Sequence, residues 1–277
     1  MSSKRKSSAP SWALLLLAVL CAGIISAGEV ITEPRAEPRA EPTAELRLFR
    51  AEYIAKYQGL PIKAKGIREL KRTRTGDYHM VSSADSMLAQ VNESTRFALR
   101  DGKVRPDWYQ YERTGIGKNK LESGHFDWEE MHHLADDQAT LLVDLTLDKL
   151  SYQIQLRLDV ARAIEESGFQ GQVFTYLVAD QEKRRTYTFQ ITGQETLNTP
   201  MGNLPTVRLE RVRENQRDGK ADSKRRTQLW LATEHDYLLV RLKQEDRGKG
   251  FELNLSQFVW RTQTPLAETA EYTSSAR

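Results

Sequence analysis

Short segments in which apolar and polar residues alternate recur about every ten residues along most of this chain, and that pattern, punctuated by turn residues, confines it to an antiparallel meander. In the first segment Phe49, Ala51, Tyr53, Ala55 and Tyr57 share one face. Further segments run from Ile62 to Arg72, near 77–87, 91–100, 104–113 and 119–128. They resume after residue 169 as QVFTYLVA, TYTFQIT, TVRLERV, RTQLWLA, YLLVRLKQ and FELNLSQF. So many strands must curl to cover their apolar face, so the expected class is mainly β, a curled antiparallel sheet forming a half-barrel or barrel.

One stretch breaks the period. In LDKLSYQIQLRLDVARAIEESG, the residues Leu150, Ile154, Leu158, Ala161 and Ile164 recur at spacings of three and four, an apolar helical stripe. Asp148 suits an N-cap and Gly168 a C-terminal stop. One long helix beside a curled sheet is expected to pack on the concave face, covering surface that water would otherwise meet.

The stretch TYTFQITGQETLNTPMGNLPTVRLERV, residues 186–212, reads as two strands folded about a turn. Pro200 fits position i+1 and Gly202 position i+3 of a type I turn, and Gly193 signals a bulge. Glu195 is the one acid in the middle of it and is expected to tie the hairpin to a nearby base, with the KRR at 183–185 as candidate. The stretch is read as a corner rather than a site.

Residues 1–27 carry Lys4, Arg5 and Lys6, then an apolar run to Ile25 and small residues at 26–28, the layout of an export signal. Cleavage is expected, with a retained anchor as the alternative. Leu20 precedes Cys21 where a lipidation site needs a small residue. EPRAEPRAEPTA makes 28–45 an extended linker. A single β domain is expected over 46–262 and a flexible tail over 263–277. The chain holds 41 basic and 38 acidic residues, but the signal takes three bases and no acid, so the remainder is neutral. Such a balance gives no general attraction to nucleic acid. Without Cys21, which is the only cysteine, the domain has neither a disulfide nor a thiolate ligand.

The segments FRAEYIAKYQGLPIKAKG, PDWYQYER, FDWEE, FQITGQETLNTPMGNLPTVRLER, LWLA and YLLVRLKQ together resemble the DUF3108 family of exported bacterial proteins. The resemblance implies a periplasmic, mostly antiparallel protein and no established activity. The arrangement is also similar to the LolA and LolB lipoprotein carriers, whose curved sheet and helical lid enclose an apolar space; that likeness is architectural. The EPRA linker and DYLLVR, which lacks a proline often found there, depart from the family pattern.

Candidate catalytic groups do not converge. His125, Asp127 and Glu129 alternate, with His132, His133, Asp136 and Asp137 nearby, but no three-ligand metal motif, G-x-S-x-G elbow or P-loop accompanies them. No catalytic residue, metal or cofactor is therefore assigned. Aromatics are better placed for binding: Trp108, Tyr111, Phe126, Trp128 and Trp230, with Ile154 and Leu158 from the helix, form the expected ligand-binding set, while Tyr109 and Phe189 belong to the same neighbouring strands. The expected function is non-enzymatic, periplasmic binding of an apolar or amphipathic envelope component, lipid, lipoprotein or an exposed outer-membrane protein segment, in envelope assembly or quality control, with an envelope lipid or an outer-membrane or periplasmic protein as partner and peripheral membrane contact. Two alternatives are an envelope hydrolase using the cluster from His125 to Asp137, and a scaffold presenting sheet edges to a protein partner.

Overall fold

The computed structural model describes residues 45–57, 63–115, 118–135, 138–181, 183–212, 226–246 and 249–262. The expected signal, the linker up to residue 44, the C-terminal tail, and Asp136 and Asp137 lie outside them. The first half of the described chain carries β1 (Phe49–Tyr57), β2 (Lys63–Arg72), β3 (Tyr78–Asp85), β4 (Ala89–Arg100), β5 (Lys103–Gly115), β6 (Lys120–Asp127), β7 (His132–Ala135) and β8 (Gln138–Leu141). After α1 (Ser151–Ser167) come β9 (Val173–Asp180), β10 (Lys183–Thr199), β11 (Gly202–Val212), β12 (Arg226–Ala232), β13 (Leu238–Asp246) and β14 (Lys249–Trp260).

These strands form one antiparallel sheet in the order β8-β7-β6-β5-β4-β3-β2-β1-β14-β13-β12-β11-β10-β9. β1 pairs with β14, which joins the two halves of the meander through the first and last strands. The sheet is a half-barrel whose two edges, β8 and β9, do not pair. Beyond β8 the chain instead runs beside the free edge of β9: Leu147 bridges Val178 in parallel, donating to the Leu177 carbonyl at 2.9 Å and accepting from the Ala179 N–H at 2.8 Å. That short bridge satisfies edge groups that would otherwise be open to a foreign strand.

Alternation sets which face is buried. Phe49, Ala51, Tyr53 and Ala55 turn to the core from β1, and Ala64, Arg68 and Leu70 do so from β2. Bulges then change the parity: opposite Arg96 and Phe97 the β5 chain carries an extra residue, Asp107, so Val104 and Pro106 before it and Tyr109 after it all point inward. A second bulge, between Ile191 and Gly193, lies where the glycine signalled one.

α1 enters the curl with a strong start. Asp148 Oδ1 accepts from the Leu150 and Ser151 N–H groups, both at 2.7 Å, while Ser151 Oγ accepts from the Asp148 N–H at 2.9 Å, a reciprocal capping arrangement. Gly168, at φ +75°, ends the helix and donates to the Ile164 carbonyl at 3.0 Å. The expected stripe is only part of the buried surface. Leu150 and Ile154 are buried, but Leu158, Ala161 and Ile164 are half-buried, and Tyr152, Gln155, Leu156, Arg157 and Val160 are buried instead. The reason is that sheet surrounds the helix. Arg68 on β2 donates to Gln153, Thr95 on β4 to Asp148, the Val104 N–H on β5 to Gln155, and Tyr176 on β9 to Asp159. Tyr152 stacks on Phe189 of β10 with ring centres 5.7 Å apart.

Two further points depart from the sequence pattern. Beyond residue 128, where the first series of alternating segments stops, the chain adds β7 and β8, which extend the sheet by pairing to β6. Glu195 accepts from Trp230 Nε1 at 2.7 Å and lies 3.5 Å from Arg208, rather than from a base of the KRR; Arg185 there pairs with Asp180 at 2.8 Å. The hairpin strand facing Glu195 supplies the nearer cation.

Candidate functional site

The inner face of the half-barrel and the inward side of α1 enclose a cavity of about 30 Å³, lined by Phe49, Tyr53, Met80, Ile154, Leu156, Leu229, Leu231, Tyr237, Leu238 and Leu239 together with Arg68, Gln153 and Arg157. It is room for about one water molecule, so the concave face is a packed core under the helix. Tyr53 donates to the Leu239 carbonyl at 2.7 Å, and burial pushes its pKa up to about 12.

Two surface grooves flank α1. One, of about 330 Å³, lies between the helix, residues 45–47 and the turn at 233–237, with Leu46, Arg157, Leu158, Ala161 and Tyr237 on its walls. The turn is held in a left-handed conformation at Asp236 and Tyr237, with φ of +48° and +55°. The other, of about 350 Å³, opens at the seam of the half-barrel, where Val104, Leu145, Leu147, Tyr176 and Leu177 alternate with Lys103, Asp144 and Asp159. Around that seam Leu141, Val143, Leu145 and Val173 are exposed, giving it an apolar rim.

The turn leading into α1 sits in a polar cluster. Lys149, two residues before the helix, reaches Glu122 at 2.8 Å and Asp180 at 2.6 Å, tying β6 to β9; Lys120 also pairs with Glu122. Burial alone would raise both carboxyls, but hydrogen bonds from Lys149, with Lys120 on Glu122 and Arg185 on Asp180, hold both below the usual range. On the other side Tyr109 donates to Glu93 at 2.6 Å. Burial raises the pKa of Glu93 and of Asp148, against the hydrogen bonds each accepts.

The structure does not gather the expected ligand-binding set in one place. Ile154 lines the cavity and Leu158 the 330 Å³ groove. Phe126 is buried on the inner face and packs on His133, and Tyr111 is half-buried on the same face as Tyr109. Trp128 lies in the turn after β6, donating to the Pro106 carbonyl at 2.6 Å under the guanidinium of Arg105. Trp108 and Trp230 face away from the concave side. Trp108 lies opposite Tyr109 in parity with Arg96 over its ring, and Trp230 lies between the cavity-lining Leu229 and Leu231, covered by Arg241 and Glu195.

The histidine and acid cluster is also divided. His133 is buried against Phe126, whereas His125 and His132 are on the outer face, and Asp127 Oδ1 accepts from the Glu129 and Glu130 N–H groups of the turn. Among the described residues, no group of three His, Cys, Asp or Glu is placed to hold a metal ion. The residues overlooked in the sequence are Arg68 and Arg157, polar groups on the cavity wall. Arg68 carried a signal, since it shares strand parity with Ala64, Gly66 and Leu70.

Residues 52–255 match a family profile described as a protein of unknown function, DUF3108. The chain belongs to the DUF3108 family. No curated protein matches it. Among solved structures, this DUF3108 chain is similar to a β-barrel-like protein of the DUF1849 domain from Brucella abortus, with a TM-score of 0.55 and 12% identity over 79% of this chain and 99% of that one. That overlay supports the curled β architecture. The lipoprotein LppX of Mycobacterium tuberculosis matches with a TM-score of 0.27 and 13% identity, covering 79% of this chain and 88% of that one. A putative outer membrane lipoprotein-sorting protein domain from Vibrio parahaemolyticus matches with a TM-score of 0.23 and 15% identity, covering 80% and 88%. Neither of these two overlays is close enough to bear on the DUF3108 fold.

Proposed function

We propose that this is an exported, non-enzymatic binding protein of the bacterial envelope, which takes an apolar or amphipathic component, lipid or an exposed protein segment, alongside α1. The observation that carries this reading is the position of the helix: it is sealed into the curl over an apolar cavity, yet grooves of about 330 and 350 Å³ run along its two flanks, within the size range of ligand pockets. The exposed Leu141, Val143, Leu145 and Val173 beside the seam are consistent with an apolar occupant. Each methylene transferred from water to such a groove is worth about 0.8 kcal/mol, so a short acyl chain is enough for measurable affinity. The basic and apolar layout of residues 1–27 supports export, and the neutral remainder gives no reason to expect nucleic acid.

The test is mass spectrometry of the purified protein for co-purifying lipid, with titration of N-phenyl-1-naphthylamine, a neutral dye that brightens in apolar surroundings. Bound lipid or saturable dye binding is expected. A protein that emerges lipid-free and leaves the dye dark at every concentration would rule the reading out.

A further inference from the structure

A guanidinium in an apolar wall is costly unless it is paired and its hydrogen bonds are met. Arg157 on α1 and Arg68 on β2 are each only 6% exposed and line the same cavity. Among the described residues neither forms an ion pair. Arg68 has a neutral partner, donating to Gln153 Oε1 at 2.8 Å. Arg157 donates through Nε to the Asp236 backbone carbonyl, and its guanidinium carbon lies 5.4 Å from the centre of the Phe49 ring. Its Nη1 is buried with no hydrogen-bond partner. The Asp236 carboxylate, which could have neutralised it, bonds Arg47 at 3.1 Å instead. Burial lowers the pKa of Arg157 to about 10, against the pull of Asp236, so the group is still a cation at neutral pH.

Arg157 also belongs to the wall of the 330 Å³ groove, so it stands where the solvent-open groove meets the interior. The other charges there compensate it only in part. Asp236 attracts it but is hydrogen-bonded by Arg47, Glu45 is engaged by Arg72 at 2.9 Å, and Glu234 is exposed at the rim, where water screens it. Leu46, Leu158, Ala161 and Tyr237 give the same groove an apolar wall.

We propose that Arg157 is the headgroup site for an anionic amphiphile: a carboxylate or phosphate oxygen accepts from Nη1 while the attached apolar chain lies along Leu158, Ala161 and Tyr237. This rests on the binding function proposed above and adds the charge of the ligand and the place of its head. A charge-assisted hydrogen bond to a desolvated guanidinium is stronger than a neutral one, and an alcohol of equal chain length offers Nη1 only an uncharged acceptor. Discrimination of about tenfold or more in favour of the anion follows.

The experiment measures displacement of N-phenyl-1-naphthylamine from the full chain by decanoate, decyl phosphate, 1-decanol, acetate and inorganic phosphate. Decanoate or decyl phosphate is expected to compete at one-tenth or less of the decanol concentration, and acetate and inorganic phosphate not at all. Arg157→Met should abolish the advantage while dye and decanol still bind. Should that variant fail to fold, Ala161→Trp, which fills the groove from a half-buried helix position, is expected to weaken decanoate by more than tenfold with an unchanged circular dichroism spectrum. Dye binding with equal competition by decanoate and decanol overturns the headgroup assignment and leaves the binding function standing; no dye binding and no bound lipid sinks both. Competition by acetate or inorganic phosphate as strong as that of the decyl compounds, or unaltered decanoate binding by Ala161→Trp, also overturns the proposal.

Discussion

The substitution Ile154→Ala tests whether the floor beneath α1 is packed as the structure has it. Ile154 is buried against the inner sheet and borders the cavity of about 30 Å³. Removing three buried carbon atoms at about 0.8 kcal/mol each forfeits about 2.4 kcal/mol of transfer free energy. If the walls relax enough that the void only doubles, the added volume costs about 0.7 kcal/mol more at about 24 cal/mol per Å³. The expected loss is therefore about 3 kcal/mol, inside the about 2 to 5 kcal/mol common for such truncations. Leu158→Ala, at a half-buried position on the groove wall, should cost about 1 kcal/mol by the same reasoning, since much of its surface already meets water. Urea denaturation of parent and both variants, analysed at constant slope, reads the differences. A loss below about 1 kcal/mol for Ile154→Ala, or one no larger than for Leu158→Ala, would show that the helix floats over the sheet as a loose lid, and the packed-core account would fail.

Three further outcomes follow from the polar groups around α1. Asp148→Ala removes the acceptor for two helix N–H groups and for the buried Thr95 hydroxyl, so urea denaturation should show a loss of about 2 to 4 kcal/mol, and Asp148→Asn a smaller one. Lys149→Met leaves Glu122 to Lys120 and Asp180 to Arg185, and should cost about 2 kcal/mol at neutral pH. Because the folded pKa values of both carboxyls are depressed, their stabilisation is complete above the ordinary values of 4.5 and 3.8 and is lost as pH falls through the folded ones, so parent and variant stabilities should converge in acid. Glu93 has the opposite sign: its folded pKa is raised, so the stabilisation from holding a proton is present below 4.5 and lost as pH rises through the folded value. Glu93→Gln, which mimics the neutral acid toward Tyr109, should match the parent in acid and exceed it at neutral pH; a variant less stable than the parent throughout would contradict that assignment.

How far the sequence could be read depends on where parity survives. The inner face of β1 is legible because Phe49, Ala51, Tyr53 and Ala55 keep one parity, the extra residue opposite Glu52 and Tyr53 lying on β14. In β5 the same rule fails at Asp107, because a single extra residue sends every later side chain to the opposite face. Carried on from Val104 and Pro106, the alternation would send Trp108 inward, but after the extra residue Tyr109 and Tyr111 take that side and Trp108 faces out. Trp230 misleads for another reason: β12 is covered on both faces, so alternation cannot say which aromatic faces the helix. β7 and β8 are four residues each, too short and too polar for a period to show. The helix is the deepest case. An amphipathic stripe assumes one buried face, and on that assumption Gln155 and Arg157 belong in water. Inside a half-barrel the walls reach round both flanks, so polar side chains are carried inward and must find partners there. Gln155 finds the Val104 N–H and Asp159, and Arg157 finds one carbonyl and an aromatic ring. The shortfall at Nη1 is thus a consequence of the topology that no residue pattern along α1 discloses, while the arginine on the apolar parity of β2 was open to view from the start.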